Sequence, residues 1–186
     1  TTTIYEKGAE IIRMLKVLVG EETFMKGVRN YIQKFDGKAA TTEDFVNSIL
    51  LLAERSSKLE FNPTQFLLWY YQSGTPQVKI TREWNYKNQE LTIRFFQNSG
   101  TTSKNLPNKP LVIPIKLAIL TNKHPSNEYL IILDEDYKEI KFDIRDSCKD
   151  LPILSLFRNF SAPVIWESDL SEDELLALSI YDDDLF

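Results

Sequence analysis

A tyrosine near the start of the chain, Tyr5, is the first residue whose side chain could serve catalysis. A phenol keeps its proton at neutral pH and can donate a hydrogen bond to an oxygen on which negative charge develops. The alternative is that this aromatic side chain, close to a helix start, packs against apolar neighbours. Residue type alone leaves both roles open.

Residue types that bind transition metals are scarce in this chain, which has one histidine, His124, and one cysteine, Cys148. Zinc sites draw three or four ligands from histidine, cysteine and carboxylates at set spacings. We therefore expect this chain to bind no metal by itself. His124 stands in a turn-like composition and is expected in an exposed loop. Cys148 could act as a nucleophile only with His124 beside it, and an inert small side chain is the simpler interpretation.

Three other groups could be mistaken for functional sites. Glu6 and Glu10 lie four residues apart, but basic residues alternate with them, which favours a solvated or ion-paired helix face. Residues 134–136 lack the glycine and the distal glutamate of a calcium-binding loop and predict a hairpin turn. The aromatic residues 69–71 could form a stacking platform, but their position at a helix end favours packing.

The net charge of −5 is unevenly distributed along the 186 residues. Residues 76–168 carry 13 basic and 11 acidic residues, whereas residues 169–186 carry seven acidic residues and no basic one. No basic patch emerges, which argues against binding to nucleic acid, and no apolar run is long enough to span a membrane. The single cysteine fits a reducing compartment, and the sequence shows no signal peptide, so we expect a cytoplasmic protein.

Residues 5–72 show the apolar spacing of four amphipathic helices. Glycines follow the first two helices, where a left-handed residue suits a helix end. A capping box at Thr41 begins the third helix. Asn62 as cap and Pro63 at the first helical position begin the fourth helix, which we expect to continue to Gly74.

From residue 76 onwards the apolar period changes from that of a helix to that of strands. The apolar stretches are Val78–Ile80, Leu91–Phe95, Leu111–Ile119, Tyr129–Leu133, Ile140–Ile144 and Val164–Trp166. Short strands with turn-rich connections predict an all-β sandwich over residues 76–168. Ser171 and Glu174 form another capping box, which opens a short acidic helix. That helix leads into Asp182–Asp184, which we expect to be solvated and frayed.

Four stretches at the predicted element boundaries carry a resemblance to a known enzyme family. They are YEKGAEIIRM at Tyr5–Met14, DGKAATTEDF at Asp36–Phe45, WYYQSGTP at Trp69–Pro76 and FSAPV at Phe160–Val164. In type and order they resemble motifs of the M1 family of zinc aminopeptidases, the aminopeptidase N type. The first resembles the tyrosine-bearing helix of that family.

The resemblance implies a multidomain α and β fold: an N-terminal α-helical segment, then an all-β sandwich and a short C-terminal helix. Residues 1–75 would be the C-terminal helical part of a thermolysin-like catalytic domain, and residues 76–168 the β-sandwich domain. Residues 169–186 would begin a truncated C-terminal helical domain. The H-E-x-x-H metal motif of the family is absent from this sequence. The resemblance therefore implies a fragment that contributes one catalytic residue, Tyr5, and no metal ligand.

In the intact parent enzyme, the resemblance implies that zinc activates a water and that an upstream glutamate acts as the base. Tyr5 would stabilise the oxyanion while N-terminal amino acids are removed from peptides. The isolated chain is expected to be inactive and to bind no zinc. A non-catalytic helical plus β-sandwich interaction module, or a paralogue without its metal site, stays open as an alternative. Uncovered helical faces in residues 1–75 and 169–186 predict self-association.

Overall fold

Helical periodicity in the first part of the chain and alternation in the second produce helices followed by strands. The computed structural model describes residues 2–56, 60–99, 109–121, 124–125, 128–144 and 150–184. The chain divides into two units, Thr1–Ser73 and Gly74–Phe186. Cys148 and the side chain of His124 lie outside what the structure describes, so the interpretation of each side chain stays a prediction.

Three amphipathic helices form the body of the first unit. They are α1 (Thr2–Val19), α2 (Glu21–Phe35) and α3 (Thr42–Arg55). Their apolar stripes meet in a core that includes Leu15 and Ile49, both fully buried. The Thr41 capping box is confirmed, because Thr41 Oγ1 accepts from the Asp44 N–H at 3.2 Å and Asp44 Oδ2 accepts from the Thr41 N–H at 3.0 Å.

Two glycines determine how the helices of the first unit meet. Gly20 has φ = 80° and is the single residue between α1 and α2, a backbone conformation that glycine adopts without steric cost. Gly27 of α2 lies directly against α3. A Cβ atom at Gly27 would stand 2.6 Å from Cγ1 and 2.8 Å from Cα of Ile49. The two helices therefore approach closely because this position has no side chain.

The predicted fourth helix is present as two single turns, α4 (Pro63–Phe66) and α5 (Leu68–Tyr71). The break falls at Leu67, where the Tyr70 N–H bonds the carbonyl three residues back at 3.0 Å. This tighter winding brings residues three apart onto one face, and both Phe66 and Trp69 are buried. The expectation of one continuous helix to Gly74 is therefore wrong.

The described part of the second unit contains two β-sheets. Their strands are β1 (Gln77–Asn85), β2 (Glu90–Asn98), β3 (Ile113–Thr121), β4 (His124–Pro125), β5 (Tyr129–Leu133), β6 (Tyr137–Asp143), β7 (Ile153–Leu156) and β8 (Ile165–Ser168). The first sheet has the order β6-β2-β1-β8, and in the second sheet β3 pairs with β4, β5 and β7. The β1–β8 pair is parallel and the other pairs are antiparallel.

Burial follows the predicted alternation. Val78 and Ile80 of β1 are buried, as are Leu91, Ile93 and Phe95 of β2, because alternate residues of a strand face the same side. Strand β3, which has partners along both edges, is buried over most of its length. The predicted fold class, helices followed by an all-β sandwich and a short helix, is confirmed.

Two local predictions in the second unit are wrong, and strand β7 was not predicted. The backbone of His124 pairs with Thr121 as part of β4 and does not lie in a loop, whereas the predicted exposure of its side chain stays a prediction. Residues 134–136 do not form a hairpin, because they connect β5 in one sheet to β6 in the other. Gln97 of β2 holds this crossing in place. Its N–H donates to the carbonyl of Asp136, and its Nε2 donates to that of Glu135, both at 2.9 Å.

The last described helix, α6 (Glu172–Tyr181), begins at the predicted capping box. Ser171 Oγ accepts from the Glu174 N–H at 3.3 Å, and Glu174 Oε2 accepts from the Ser171 N–H at 2.8 Å. The acidic residues after α6 are not frayed as expected, because Asp182 and Asp183 pair with Arg158. Among the described helices, none is both long enough and apolar enough to cross a bilayer.

Candidate active site

Tyr5 lies near the N-terminal end of α1, and its side chain is 74% exposed. Further along the same helix, Ile11, Leu15 and Leu18 are buried at the helical spacing and anchor α1 to the first unit. Within the first unit, the side chain of Tyr5 is therefore exposed and does not pack in the core, and its catalytic role stays a prediction.

The charged residues of α1 lie at its surface, partly or fully exposed. Glu10 contacts Arg13 with 3.5 Å between Oε2 and Nη1, an i,i+3 ion pair on the helix surface. Glu6 is exposed. The interpretation of Glu6 and Glu10 as a solvated or ion-paired face is confirmed.

A cavity of about 630 Å³ lies within the first unit, and its lining residues on α1 begin at Lys7 and do not include Tyr5. It is bounded by α1, α2, α3, α5 and the residues before α3. The lining residues include Lys7, Gly8, Ile11, Tyr31, Thr41, Phe45, Trp69 and Tyr70. The walls are mainly apolar and aromatic, with a few polar side chains among them.

The aromatic residues 69–71 have three different environments. Trp69 is buried in the core, as predicted. Burial raises the pKa of Tyr70 to about 12, and the negative charge of Glu43 acts in the same direction. Tyr71 is exposed and does not pack, because successive residues of a helix point in different directions and only some can face the core.

Tyr71 and Glu43 form a hydrogen bond that the sequence did not indicate. The Tyr71 hydroxyl donates to Glu43 Oε1 at 2.6 Å, which lowers the pKa of Glu43 and raises that of Tyr71. The two residues are 28 positions apart, so no local pattern relates them. This pair connects α5 to the first turn of α3.

The part of the chain that the structure describes offers no place for a transition metal. Within it, no group of three or more histidine, cysteine, aspartate or glutamate side chains is arranged to hold a metal ion. Among the described residues, Tyr5 is therefore not accompanied by a set of metal ligands.

Comparison with known proteins relates both units to peptidases. Residues 1–62 match the Peptidase family M1 domain, and residues 74–169 match a family described as a domain of unknown function (DUF3458) with an Ig-like fold. The chain belongs to the M1 peptidase family. The range that matches the Ig-like fold contains the β-sandwich of this chain.

Individual relatives agree with this assignment. Aminopeptidase N of Haemophilus influenzae is 36% identical over 100% of this chain, which covers 21% of that protein. Aminopeptidase N of Escherichia coli is 35% identical over 96% of the chain, which covers 20% of that protein. The chain thus spans about a fifth of the length of these curated relatives.

A solved structure also resembles the chain. The crystal structure of Legionella pneumophila aminopeptidase A in complex with aspartic acid matches 99% of this chain with a TM-score of 0.84. The sequence identity is 30%, and the match covers 20% of that protein chain. The M1 family implies a zinc ion, but the described residues of this chain do not fit one.

Proposed function

We propose that this chain is part of an aminopeptidase that removes N-terminal amino acids from peptides, with Tyr5 as a catalytic residue. The observation that carries the proposal is the position of Tyr5. It is exposed at the end of a packed helix, in the stretch that resembles the tyrosine-bearing helix of the M1 family. The matches to aminopeptidases favour an enzyme over a non-catalytic interaction module.

In this proposal Tyr5 acts as a hydrogen-bond donor. Attack on a peptide carbonyl places negative charge on the carbonyl oxygen of the tetrahedral intermediate. A phenol directed at that oxygen donates a hydrogen bond that strengthens as the charge develops. Only an interaction that is stronger in the transition state than in the ground state accelerates the reaction. Because α1 is anchored by buried residues, little reorganisation is needed to place the donor.

The proposal extends to the domains and the cofactor. Residues 1–75 would belong to the catalytic domain, residues 76–168 to the sandwich and residues 169–186 to a further helical domain. The matched ranges 1–62 and 74–169 support the first two assignments. The zinc ligands would come from a part of the parent protein that these 186 residues do not supply. The single cysteine supports a reducing, cytoplasmic location.

Self-association of the isolated chain stays a prediction. Exposed apolar side chains on the helices include Ile12, Ile32, Leu51, Leu176 and Ile180. Apolar surface of this kind favours association. A clean monomer in light scattering at high protein concentration would contradict the expectation.

The direct test of the proposed function is Tyr5→Phe in the full-length protein from the source gene. The substitution removes one hydroxyl and almost no volume. We expect kcat to fall by roughly 10²–10³-fold, the effect of losing one oxyanion donor, while the zinc content stays unchanged. Steady-state kinetics on an aminoacyl substrate and metal analysis provide the two measurements.

Tyr86→Phe is the matched control, since Tyr86 is also an exposed tyrosine and lies outside the helical unit. It should leave kcat unchanged. If Tyr5→Phe retains activity within about threefold of the wild-type enzyme, Tyr5 has no part in the mechanism. If the full-length protein cleaves no aminoacyl substrate at all, the aminopeptidase assignment itself is wrong.

A further inference from the structure

Helix α6 lies on the sandwich through a narrow stripe of its surface. None of its residues is buried, and the apolar side chains of Leu175, Leu176 and Ile180 are exposed. Glu174, Leu178 and Asp182 recur at intervals of four residues, so they share one face of the helix. Each is less exposed than the apolar residues on the other side. An acidic residue therefore stands at each end of the stripe that faces the sandwich.

A buried arginine of β1 holds the N-terminal end of α6. The side chain of Arg82 is 1% exposed. Its Nη1 and Nη2 donate to the two carboxylate oxygens of Glu174 at 2.8 and 3.0 Å. Its Nε donates to Asp169 Oδ1 at 2.7 Å, and Nη1 also donates to the carbonyl of Pro152 at 3.0 Å. The bidentate pairing with Glu174 fixes the orientation of that carboxylate as well as its distance from the guanidinium.

A second buried arginine holds the C-terminal end. The side chain of Arg158 is 8% exposed. Its Nη1 donates to Asp182 Oδ1 at 2.6 Å, and its Nη2 donates to Asp183. Its Nε contacts Glu128 at 3.4 Å. Next to it, the backbone N–H of Asn159 donates to Asp184 Oδ2 at 2.9 Å.

The backbone around Arg158 is shaped for this contact. Phe157, Asn159 and Phe160 have φ angles of 52°, 51° and 48°, which residues other than glycine rarely adopt because the Cβ atom is crowded. Strain of this kind persists only where the surrounding structure enforces it. Here the strained turn places the guanidinium against the residues that follow α6.

The acidic residues at positions 169–184 neutralise the two buried arginines. A buried guanidinium is costly unless it is paired and hydrogen-bonded. Residues 169–186 carry seven acidic residues and no basic one, and the two arginines and the Asn159 N–H engage five of them. The engaged residues are Asp169, Glu174, Asp182, Asp183 and Asp184. The strongly acidic end of the sequence thus supplies the counter-charges of two buried arginines.

We propose that α6 is held by an ionic latch, in which Arg82 and Arg158 clamp its two ends to the sandwich in one rotational setting. The latch turns Glu174 and Asp182 inward and keeps Leu175, Leu176 and Ile180 outward. On the inward face between the clamps, Ala177, Leu178 and Tyr181 are only partly buried. The proposal is independent of the role of Tyr5.

Hydrogen exchange of α6 in the 186-residue chain tests the latch. Arg82→Met and the double change Asp182→Asn with Asp183→Asn each break one clamp. In each variant we expect the amides of residues 172–181 to exchange at least about tenfold faster, because breaking a buried pair leaves an uncompensated charge. The β2 and β3 amides should keep their exchange rates in the Asp182/Asp183 variant, which leaves both arginines in place.

Asp173→Asn is the control for charge. Asp173 is an exposed residue of the same helix, and among the described residues its side chain makes no hydrogen bond or ion pair. This variant should exchange like the wild-type chain. Leu178→Ala tests the rival explanation that apolar contact holds the helix. The latch is refuted if Leu178→Ala releases α6 while the clamp variants do not, or if Asp173→Asn releases it as much as Asp182→Asn with Asp183→Asn.

Discussion

Replacing Gln97 by methionine is expected to destabilise the sandwich by about 3 kcal/mol. Gln97 lies on β2 and is buried. Its Oε1 accepts from the Leu111 N–H at 2.9 Å, and its Nε2 donates to the Leu111 carbonyl at 2.9 Å. One side-chain amide therefore satisfies both backbone groups of a residue that precedes β3. The same Nε2 donates to Glu135 between the two sheets.

The magnitude follows from the groups that lose their partners. Methionine has a similar size, so packing changes little. The N–H and the carbonyl of Leu111 would be left unpaired in a residue that is only 3% exposed, where water has little access. The carbonyl of Glu135 also loses its donor, but Glu135 is exposed and water can replace that donor. A buried polar group without its partner costs about 1–3 kcal/mol. Two such groups give about 2–6 kcal/mol, and burying an apolar side chain instead of an amide offsets part of this.

Hydrogen exchange of the slowest amides in β2 and β3 measures the effect separately from the helical unit. A loss of about 3 kcal/mol corresponds to roughly a hundredfold faster exchange, since each 1.4 kcal/mol is a factor of ten. Gln77→Met is the matched control, because Gln77 lies exposed on β1 and should change the exchange rate little. Equal exchange rates in the two variants would refute the reasoning that Gln97 is a structural cross-link.

Gly27→Ala should destabilise the helical unit by about 1–3 kcal/mol in a urea titration followed by far-UV circular dichroism, because the new Cβ would meet the Ile49 backbone at 2.8 Å. Gly8→Ala, where a Cβ atom meets nothing within 4 Å, should instead stabilise the unit by up to about 1 kcal/mol, and the same sign for both variants would contradict this reasoning. The 186-residue chain alone should hydrolyse no aminoacyl substrate and bind no stoichiometric zinc, so one tightly held zinc per chain in metal analysis would overturn the expectation. Burial acts to raise the pKa of Glu174, but the hydrogen bonds from Arg82 lower it below its ordinary value. The hydrogen bond from Arg158 lowers the pKa of Asp183. Each carboxylate therefore stabilises α6 fully above its ordinary pKa, 4.5 for Glu174 and 3.8 for Asp183, and this stabilisation is lost as the pH falls through the lower folded pKa. We expect the exchange protection of α6 to stay constant from neutral pH down to about 5 and to decline below about 4. A decline already near neutral pH would contradict this reasoning.

Sequence periodicity determined most of the secondary structure, but not the break between α4 and α5 or strand β7. The apolar spacing placed α1, α2 and α3 and the inward residues of β1 and β2, because burial on one face requires a period of 3.6 in a helix and 2 in a strand. Capping boxes at Thr41 and Ser171 gave helix starts, since their hydrogen bonds are local. Tyr5 was singled out by the resemblance of its stretch to a family motif, and its catalytic role stays a prediction.

Tertiary structure alone decided which elements became partners. Periodicity marks a face for burial but carries no information about what will cover it. The crossing of residues 134–136 between the sheets and the parallel pairing of β8 with β1 therefore had no signal in the sequence.

The interactions of the acidic residues at positions 169–184 depended on the tertiary structure in the same way. Asp169 and Glu174 meet Arg82 from 87 and 92 positions away. Asp182 and Asp183 meet Arg158 from 24 and 25 positions away. A run of acidic residues is solvated unless the fold brings a buried cation to it, and only the folded sandwich places Arg82 and Arg158 there.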